Sequence, residues 1–120
     1  MEVGEYIRTK QGYIAKVISQ GVYIELDKPV DFKQTSGNYY AGQILFDEGD
    51  IEIKSHSKNI IDLIEVGDYV NGYLIVDKWY DYANKCYHLV TEGNKHIFEE
   101  DIKTILTHEQ YEQNCYKIGE

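Results

Sequence analysis

Short runs of alternating apolar and polar residues, separated by glycine-containing turns, recur along most of this 120-residue chain. The strongest turn signal is Asn71-Gly72, because both residues tolerate a positive φ and the pair favours a two-residue β-hairpin. Further turn signals stand at Gln11-Gly12, Gln20-Gly21 and residues 91–94. Strands at intervals of about 8–12 residues with turns between them are typical of a small barrel or sandwich. The chain is therefore expected to be mainly β.

A short motif is repeated: Val-Gly-Glu-Tyr-Ile at residues 3–7 recurs as Val-Gly-Asp-Tyr-Val at residues 66–70. Each copy precedes a turn and a second predicted strand. This pattern predicts two small SH3-like barrel halves in tandem, residues 1–56 and 57–120, although glycine and acidic residues before a strand can also recur by coincidence. Halves of this size bury only about 60% of their unfolded surface, so we expect them to pack together or to form a homo-oligomer.

Helix is scarce in the sequence. Thr107 and Gln110 have the spacing of a capping box, which predicts a short helix over residues 108–114 in the second half. Residues 59–65 could form a helical turn or two between the halves, with isoleucines on one face. Tyr116 and Ile118 are expected to return to a final strand.

Composition excludes several classes of function. A net charge of −9 argues against binding to nucleic acid, since such proteins need cations to displace counterions from the phosphates. The charge also disfavours an anionic membrane surface, and no apolar run approaches the roughly 20 residues that span a bilayer. Two cysteines are too few for a disulfide framework, so we expect a cytoplasmic protein with reduced thiols.

Catalytic and metal-binding templates are not found. The segment His108-Glu109-Gln110-Tyr111-Glu112 lacks the second histidine of a zinc-protease helix and suits a helix start instead. Cys86, His88 and His96 form the only cluster of soft ligands. If Val90 pairs with Lys95, the two imidazoles point to opposite faces of the sheet. We therefore predict a protein with no metal, no cofactor and no enzymatic activity.

Aromatic residues interleaved with cations are the main candidate for a binding site. Alternation places Tyr6, Arg8 and Lys10 on one strand face, which suits a nucleotide because its base stacks on a ring and its phosphates attract cations. An ordinary solvated strand face has the same pattern. The predicted phosphate contacts are Arg8, Lys10 and Lys16, and the predicted base or ribose contacts are Tyr13, Tyr39 and Tyr40.

Two further aromatic features bear on the location of the site. Tyr39 and Tyr40 fall in the least regular segment, residues 31–42, where a long loop with adjacent aromatics favours binding. Alternatively, one tyrosine packs on the barrel and the other continues a strand. Trp79, Tyr80 and Tyr82 form a rival aromatic patch in the second half.

Residues 57–72, and less specifically residues 105–112 and 3–10, resemble small uncharacterised proteins of Firmicutes bacteria and their phages. Such accessory proteins often act against host defence by binding a target. The resemblance implies a protein of the host cytosol that sequesters a nucleotide-derived immune signal. The alternatives are an acidic DNA mimic or inhibitor that binds a host defence protein such as a nuclease, and an SH3-like adaptor module.

Overall fold

The computed structural model describes residues 2–21, 23–33, 39–46, 52–115 and 118, with the backbone alone for residues 31–33 and 39–46. The chain divides into two compact units, Met1–Leu63 and Ile64–Glu120. The division falls later than the predicted one at residues 56 and 57. Residues 57–63 belong to the first unit. Ser57, for example, pairs with Tyr6 of the first strand.

The first unit consists of antiparallel strands in the spatial order β4-β3-β2-β1-β5, followed by a short 3₁₀ helix at Ile60–Leu63. The strands are β1 (Tyr6–Thr9), β2 (Ile14–Gln20), β3 (Ile24–Lys33), β4 (Tyr39–Phe46) and β5 (Ile53–Ser57). Apolar residues two apart on β2 and β3 face the same side of the sheet, as the strand period requires. The core they form contains Ile7, Ala15, Val17, Ile24, Leu26 and Val30.

The second unit has its own antiparallel sheet, in the order β10-β6-β7-β8-β9. Its strands are β6 (Tyr69–Val70), β7 (Tyr73–Asp81), β8 (Cys86–Thr91), β9 (His96–Ile97) and β10 (Ile105–Leu106). A 3₁₀ turn at Glu99–Asp101 lies between β9 and β10, and helix α1 (His108–Asn114) follows β10. The buried apolar residues of the second unit include Ile64, Val70, Ile75, Leu89 and Ile97.

The prediction of a mainly β protein with one short helix is confirmed. Among the described strands, neither sheet closes into a barrel: β4 and β5 are the edges of the first sheet, and β10 and β9 are the edges of the second. The SH3-like barrel therefore remains a prediction. Nothing in the turn signals could decide closure, because closure depends on pairing between strands distant in sequence.

The repeated five-residue motif adopts the same local structure in both units. Gly4 and Gly67 both have positive φ, at 93° and 103°, which glycine accepts at little steric cost. Each glycine N–H donates to the facing strand, over 2.8 Å to the Val17 carbonyl and 2.9 Å to the Ile75 carbonyl. In each unit the same facing residue donates its N–H back to the acidic residue of the motif, over 2.8 Å. The motif is therefore a turn that begins a sheet twice in one chain.

The predicted C-terminal helix is confirmed. Helix α1 covers His108–Asn114, and Thr107 is its N-cap, with the threonine hydroxyl oxygen accepting from the Gln110 N–H at 3.3 Å. The helical turn expected in residues 59–65 is the 3₁₀ helix at Ile60–Leu63. Of the final strand predicted at Tyr116 and Ile118, Tyr116 lies outside the described residues, and Ile118 is described but is not part of a strand.

In the described part of the chain, no helix has the length and apolar character needed to cross a membrane.

Candidate functional site

The cations predicted to bind phosphate lie in different environments. Arg8 is fully buried, and its Nη1 donates to the Leu63 carbonyl oxygen over 2.8 Å. Lys10 lies beyond the end of β1, and its exposed ammonium is 3.8 Å from the Glu52 carboxylate. Arg8 therefore stabilises the first unit from inside. Because the guanidinium is fully buried, a ligand phosphate would reach it only if the packing around it opened.

The other predicted residues are also separated. Tyr13 is partly buried against the first unit's core. The Lys16 ammonium lies 5.5 Å from the centre of the Tyr6 ring, which is the cation beside an aromatic ring that the sequence predicted. Tyr39 and Tyr40 lie in β4, and their side chains are outside the described residues. Lys16 is thus a predicted phosphate contact that lies beside an aromatic ring, although that ring, Tyr6, was not among the predicted base contacts.

A groove of about 450 Å³ lies in the second unit, between the β6–β7 hairpin and the β8–β9 turn. Its volume is within the range of small-molecule sites. Its lining residues belong to these two hairpins and their turns: Tyr69, Gly72, Tyr73, Leu74, Thr91, Glu92, Gly93 and Lys95. The groove combines two phenol rings with one cation, one carboxylate and the hydroxyl of a threonine.

Two tight turns create the walls of this groove. Asn71 and Gly72 have φ of 54° and 83°, the two positive values that a two-residue hairpin requires. On the other side, Asn94 has a φ of 62°, and the Thr91 hydroxyl oxygen accepts from the Lys95 N–H at 3.1 Å. The Glu92 N–H donates to the Leu74 carbonyl over 3.2 Å, which holds the second turn against β7.

The mouth of the groove pairs a cation with an aromatic ring. The Lys95 ammonium lies 4.8 Å from the centre of the Tyr73 ring, and Tyr73 is 46% exposed. A Cβ added to Gly93 would meet no atom within 4 Å, so the groove is open at this glycine. Such a surface can stack a planar ring, bind an anion and accept a hydroxyl hydrogen bond on Glu92.

Sequence reasoning missed Tyr73 and Lys95. The pattern of aromatic residues interleaved with cations that was used in the first half also applies to them, since Tyr73 and Lys95 pair a ring with a cation. The residues are far apart in the sequence, however, and they meet because β7 is flanked by both β6 and β8. The repeat of the five-residue motif was the signal that could have indicated these residues, because it predicted a sheet in the second half equivalent to the one in the first half.

The strand register near His88 differs from the predicted one. Val90 pairs with His96, and Leu89 pairs with Ile97, so the prediction that His88 and His96 point to opposite faces was wrong. The Nδ1 atoms of the two imidazoles are 3.0 Å apart. The cause is the turn: Thr91 accepts from Asn94 in a three-residue loop, one residue shorter than assumed, and Asn94 takes the positive φ that such loops favour.

The rival aromatic patch is divided between the two faces of β7. The Trp79 ring stacks on His88, with ring centres 4.0 Å apart and planes inclined by 12°. Tyr80, the next residue along the strand, instead contacts Tyr82 and Tyr87 edge to face, at 4.9 and 5.0 Å. Since successive strand residues face opposite sides, the three rings do not form one platform.

Comparison with known proteins gives no match to a family model, to a curated protein or to a solved structure.

Proposed function

We propose that this protein is a non-catalytic binding protein that holds a nucleotide-derived small molecule in the groove of its second unit. The observation that carries the proposal is the Lys95 ammonium placed 4.8 Å from the Tyr73 ring, at the mouth of a groove of about 450 Å³. A ring with an adjacent cation is the minimum that a base and its phosphate require.

The groove offers a partner for each part of a nucleotide. A base stacked on the exposed Tyr73 ring would contribute about 1–3 kcal/mol. The Lys95 ammonium would bind a phosphate as a point charge, and the Glu92 carboxylate would accept a hydrogen bond from a ribose hydroxyl. The same carboxylate repels additional phosphates, which favours a ligand with few negative charges over a polynucleotide.

The biological role that we propose is sequestration of a nucleotide-derived immune signal in the host cytosol, which would make this a counter-defence protein of a phage or mobile element. It rests on the resemblance of residues 57–72 to small Firmicutes and phage proteins. The net charge of −9 supports a small ligand, because a protein of this charge repels a nucleic acid. We also propose that the protein forms a homo-oligomer, which light scattering of the purified chain tests.

Calorimetric titration of the full chain with mononucleotides and cyclic oligonucleotides tests the proposal. We expect Tyr73→Ala and Lys95→Ala each to weaken binding at least tenfold. Gly93→Leu should block the groove without disturbing the fold, because a Cβ there meets open space. The matched controls are Tyr6→Ala and Lys16→Ala, which remove a ring and a cation that contact each other in the first unit.

The controls also test the location predicted from the sequence. Binding that is lost in Lys16→Ala and retained in Lys95→Ala would refute the groove and favour the first unit, with Lys10, Tyr13, Tyr39 and Tyr40 as further candidates. If no nucleotide binds the unmodified chain, the nucleotide proposal fails altogether.

The second candidate is an acidic inhibitor that covers a cationic surface of a host defence protein, and it is favoured by the net charge of −9. Complementary charge predicts binding that weakens steeply with salt. A salt-sensitive complex with a purified nuclease, unaffected by Lys95→Ala, would support this candidate. An SH3-like adaptor, the third alternative, would instead bind a peptide with little dependence on salt.

A further inference from the structure

Three side chains with metal-binding atoms meet at the outer end of the β7–β8 hairpin, away from the groove residues. One ligand atom each from Asp81, Cys86 and His88 lies within 4.8 Å of the others. All three residues are half-buried. They supply a carboxylate, a thiol and an imidazole, a donor set of three different chemical kinds.

The hairpin register brings these side chains together. Asp81 pairs directly with Cys86, and Trp79 pairs directly with His88. Residues two apart on a strand share a face, so the four side chains project from one side of the sheet. The cluster depends on short-range pairing across a single hairpin and is therefore formed by a rigid element.

The turn of the hairpin fixes the Asp81 carboxylate. Its Oδ1 accepts from the Ala83 N–H at 3.0 Å and the Asn84 N–H at 3.2 Å, and its Oδ2 accepts from the Asn84 amide at 2.8 Å. These hydrogen bonds, those from the Asn84 side chain first, lower the pKa of Asp81 below its usual value. The same hydrogen bonds hold the carboxylate in place, with its Oδ2 next to the His88 ring.

His88 is held on three sides. Its Nε2 lies 3.1 Å from the Asp81 Oδ2, and its Nδ1 lies 3.0 Å from the Nδ1 of His96. Trp79 stacks on its ring at 4.0 Å, and Phe98 contacts the ring edge to face at 4.9 Å. A histidine that binds a metal through one nitrogen usually has a partner on the other nitrogen that fixes its tautomer. His96 stands in that position.

We propose that Asp81, Cys86 and the Nε2 of His88 bind a divalent transition-metal ion of the zinc type, with His96 as the positioning partner of His88. A thiolate and an imidazole select such an ion over Mg²⁺ or Ca²⁺, which prefer oxygen ligands. Three protein ligands leave a fourth tetrahedral position for water or a ligand. Binding replaces the hydrogen bond from the His88 Nε2–H to Asp81 with two metal bonds. The imidazole stays neutral because it loses the Nε2 proton and takes up one on Nδ1, which then donates to the His96 Nδ1, and the Cys86 thiol proton is released to solvent.

The sequence prediction of no metal rested in part on His88 and His96 facing opposite sides of the sheet. The observed register removes that argument. It gives His88 the partner on Nδ1 that leaves Nε2 directed at Asp81 and Cys86.

Titration of the reduced full chain with Co²⁺ tests the site. We expect one equivalent to produce the absorption bands of tetrahedral Co²⁺ together with a thiolate-to-metal charge-transfer band, and Zn²⁺ to displace it. Cys86→Ser should abolish the charge-transfer band, and His88→Gln should abolish tight binding. Loss of a residue that hydrogen-bonds a metal ligand typically weakens metal affinity about 10–100-fold, which is the effect expected for His96→Gln.

Cys115→Ser is the matched control, since it removes the second of the two cysteines. It should leave the spectrum unchanged. The proposal is overturned if the unmodified chain gives no tetrahedral spectrum, or if the charge-transfer band survives Cys86→Ser. Trp79 fluorescence without metal verifies that each variant is folded. Nucleotide binding in the groove should be unaffected by Cys86→Ser, so failure of one proposal is distinguishable from failure of the other.

Discussion

Replacing Asp68 by alanine is expected to remove most of the stability of the second unit. Asp68 is fully buried, and its two carboxylate oxygens join the start of the repeated motif to the start of helix α1. Oδ1 accepts from the His108 N–H at 2.9 Å, and Oδ2 accepts from the Glu65 N–H at 2.8 Å. Alanine would leave both N–H groups without these acceptors.

The magnitude follows from these two hydrogen bonds. Each bond to a charged group contributes about 1.5–3 kcal/mol, so the pair contributes about 3–6 kcal/mol. A domain of this size has a total free energy of unfolding of roughly 3–9 kcal/mol. Asp68→Ala should therefore leave the unit close to its unfolding midpoint. Asp68→Asn keeps one acceptor oxygen and should have an intermediate effect.

Trp79 makes the measurement specific, because it is the single tryptophan of the chain and lies in the second unit. Urea unfolding of the full chain, followed by Trp79 fluorescence, gives the free energy of unfolding of each variant. The matched control is Asp77→Ala, which removes the same side chain from an exposed position of the same unit. A difference between the two variants of less than about 1 kcal/mol would refute the reasoning, since surface substitutions alone vary by about 0.5 kcal/mol.

Three further predictions concern single contacts. Asn71→Gly keeps the hairpin turn but removes side-chain hydrogen bonds to residues 101–104. The free energy of unfolding should fall by about 1–3 kcal/mol, and the amide hydrogens of that segment should exchange faster. Unchanged amide exchange would contradict this prediction. Thr107→Ala removes the N-cap and should lower stability by about 0.5–2 kcal/mol in urea unfolding, whereas a neutral result would show that the cap is dispensable. The hydrogen bond from His56 is the largest of the causes that lower the pKa of Glu5 below its ordinary value of 4.5. The stabilisation that this hydrogen bond gives is therefore present above that ordinary pKa and is lost as the pH falls through the lowered pKa of Glu5 in the folded protein. His56→Ala should raise the Glu5 pKa in an NMR titration, and an unchanged pKa would exclude this cause.

Local features of the fold were predictable because neighbouring residues decide them. The Asn71-Gly72 hairpin follows from two residues that accept positive φ, and both have it. The helix at His108–Asn114 follows from the Thr107 hydroxyl and its spacing to Gln110. None of these required knowledge of distant strands.

The sites were less predictable, because they depend on register and on what covers a strand face. Alternation along β1 placed Arg8 on a surface, but the Leu63 carbonyl lies within hydrogen-bonding distance of it and the guanidinium is buried. A one-residue difference at the β8–β9 turn moved His96 to the face of His88. An error of one residue in the predicted register moves each side chain of the strand to the opposite face of the sheet, because successive side chains alternate between the two faces.

The amino-acid sequence by itself determined the mainly β class, the principal turns, the capped helix and the net charge of −9. Each of these depends on residue type, on charge or on spacing within a few residues. Tertiary structure alone decided that Tyr73 meets Lys95 across a groove and that Asp81, Cys86 and His88 converge at one hairpin end. Those contacts depend on strand pairing, whose register is set by hydrogen bonds and packing between segments that the linear sequence keeps apart.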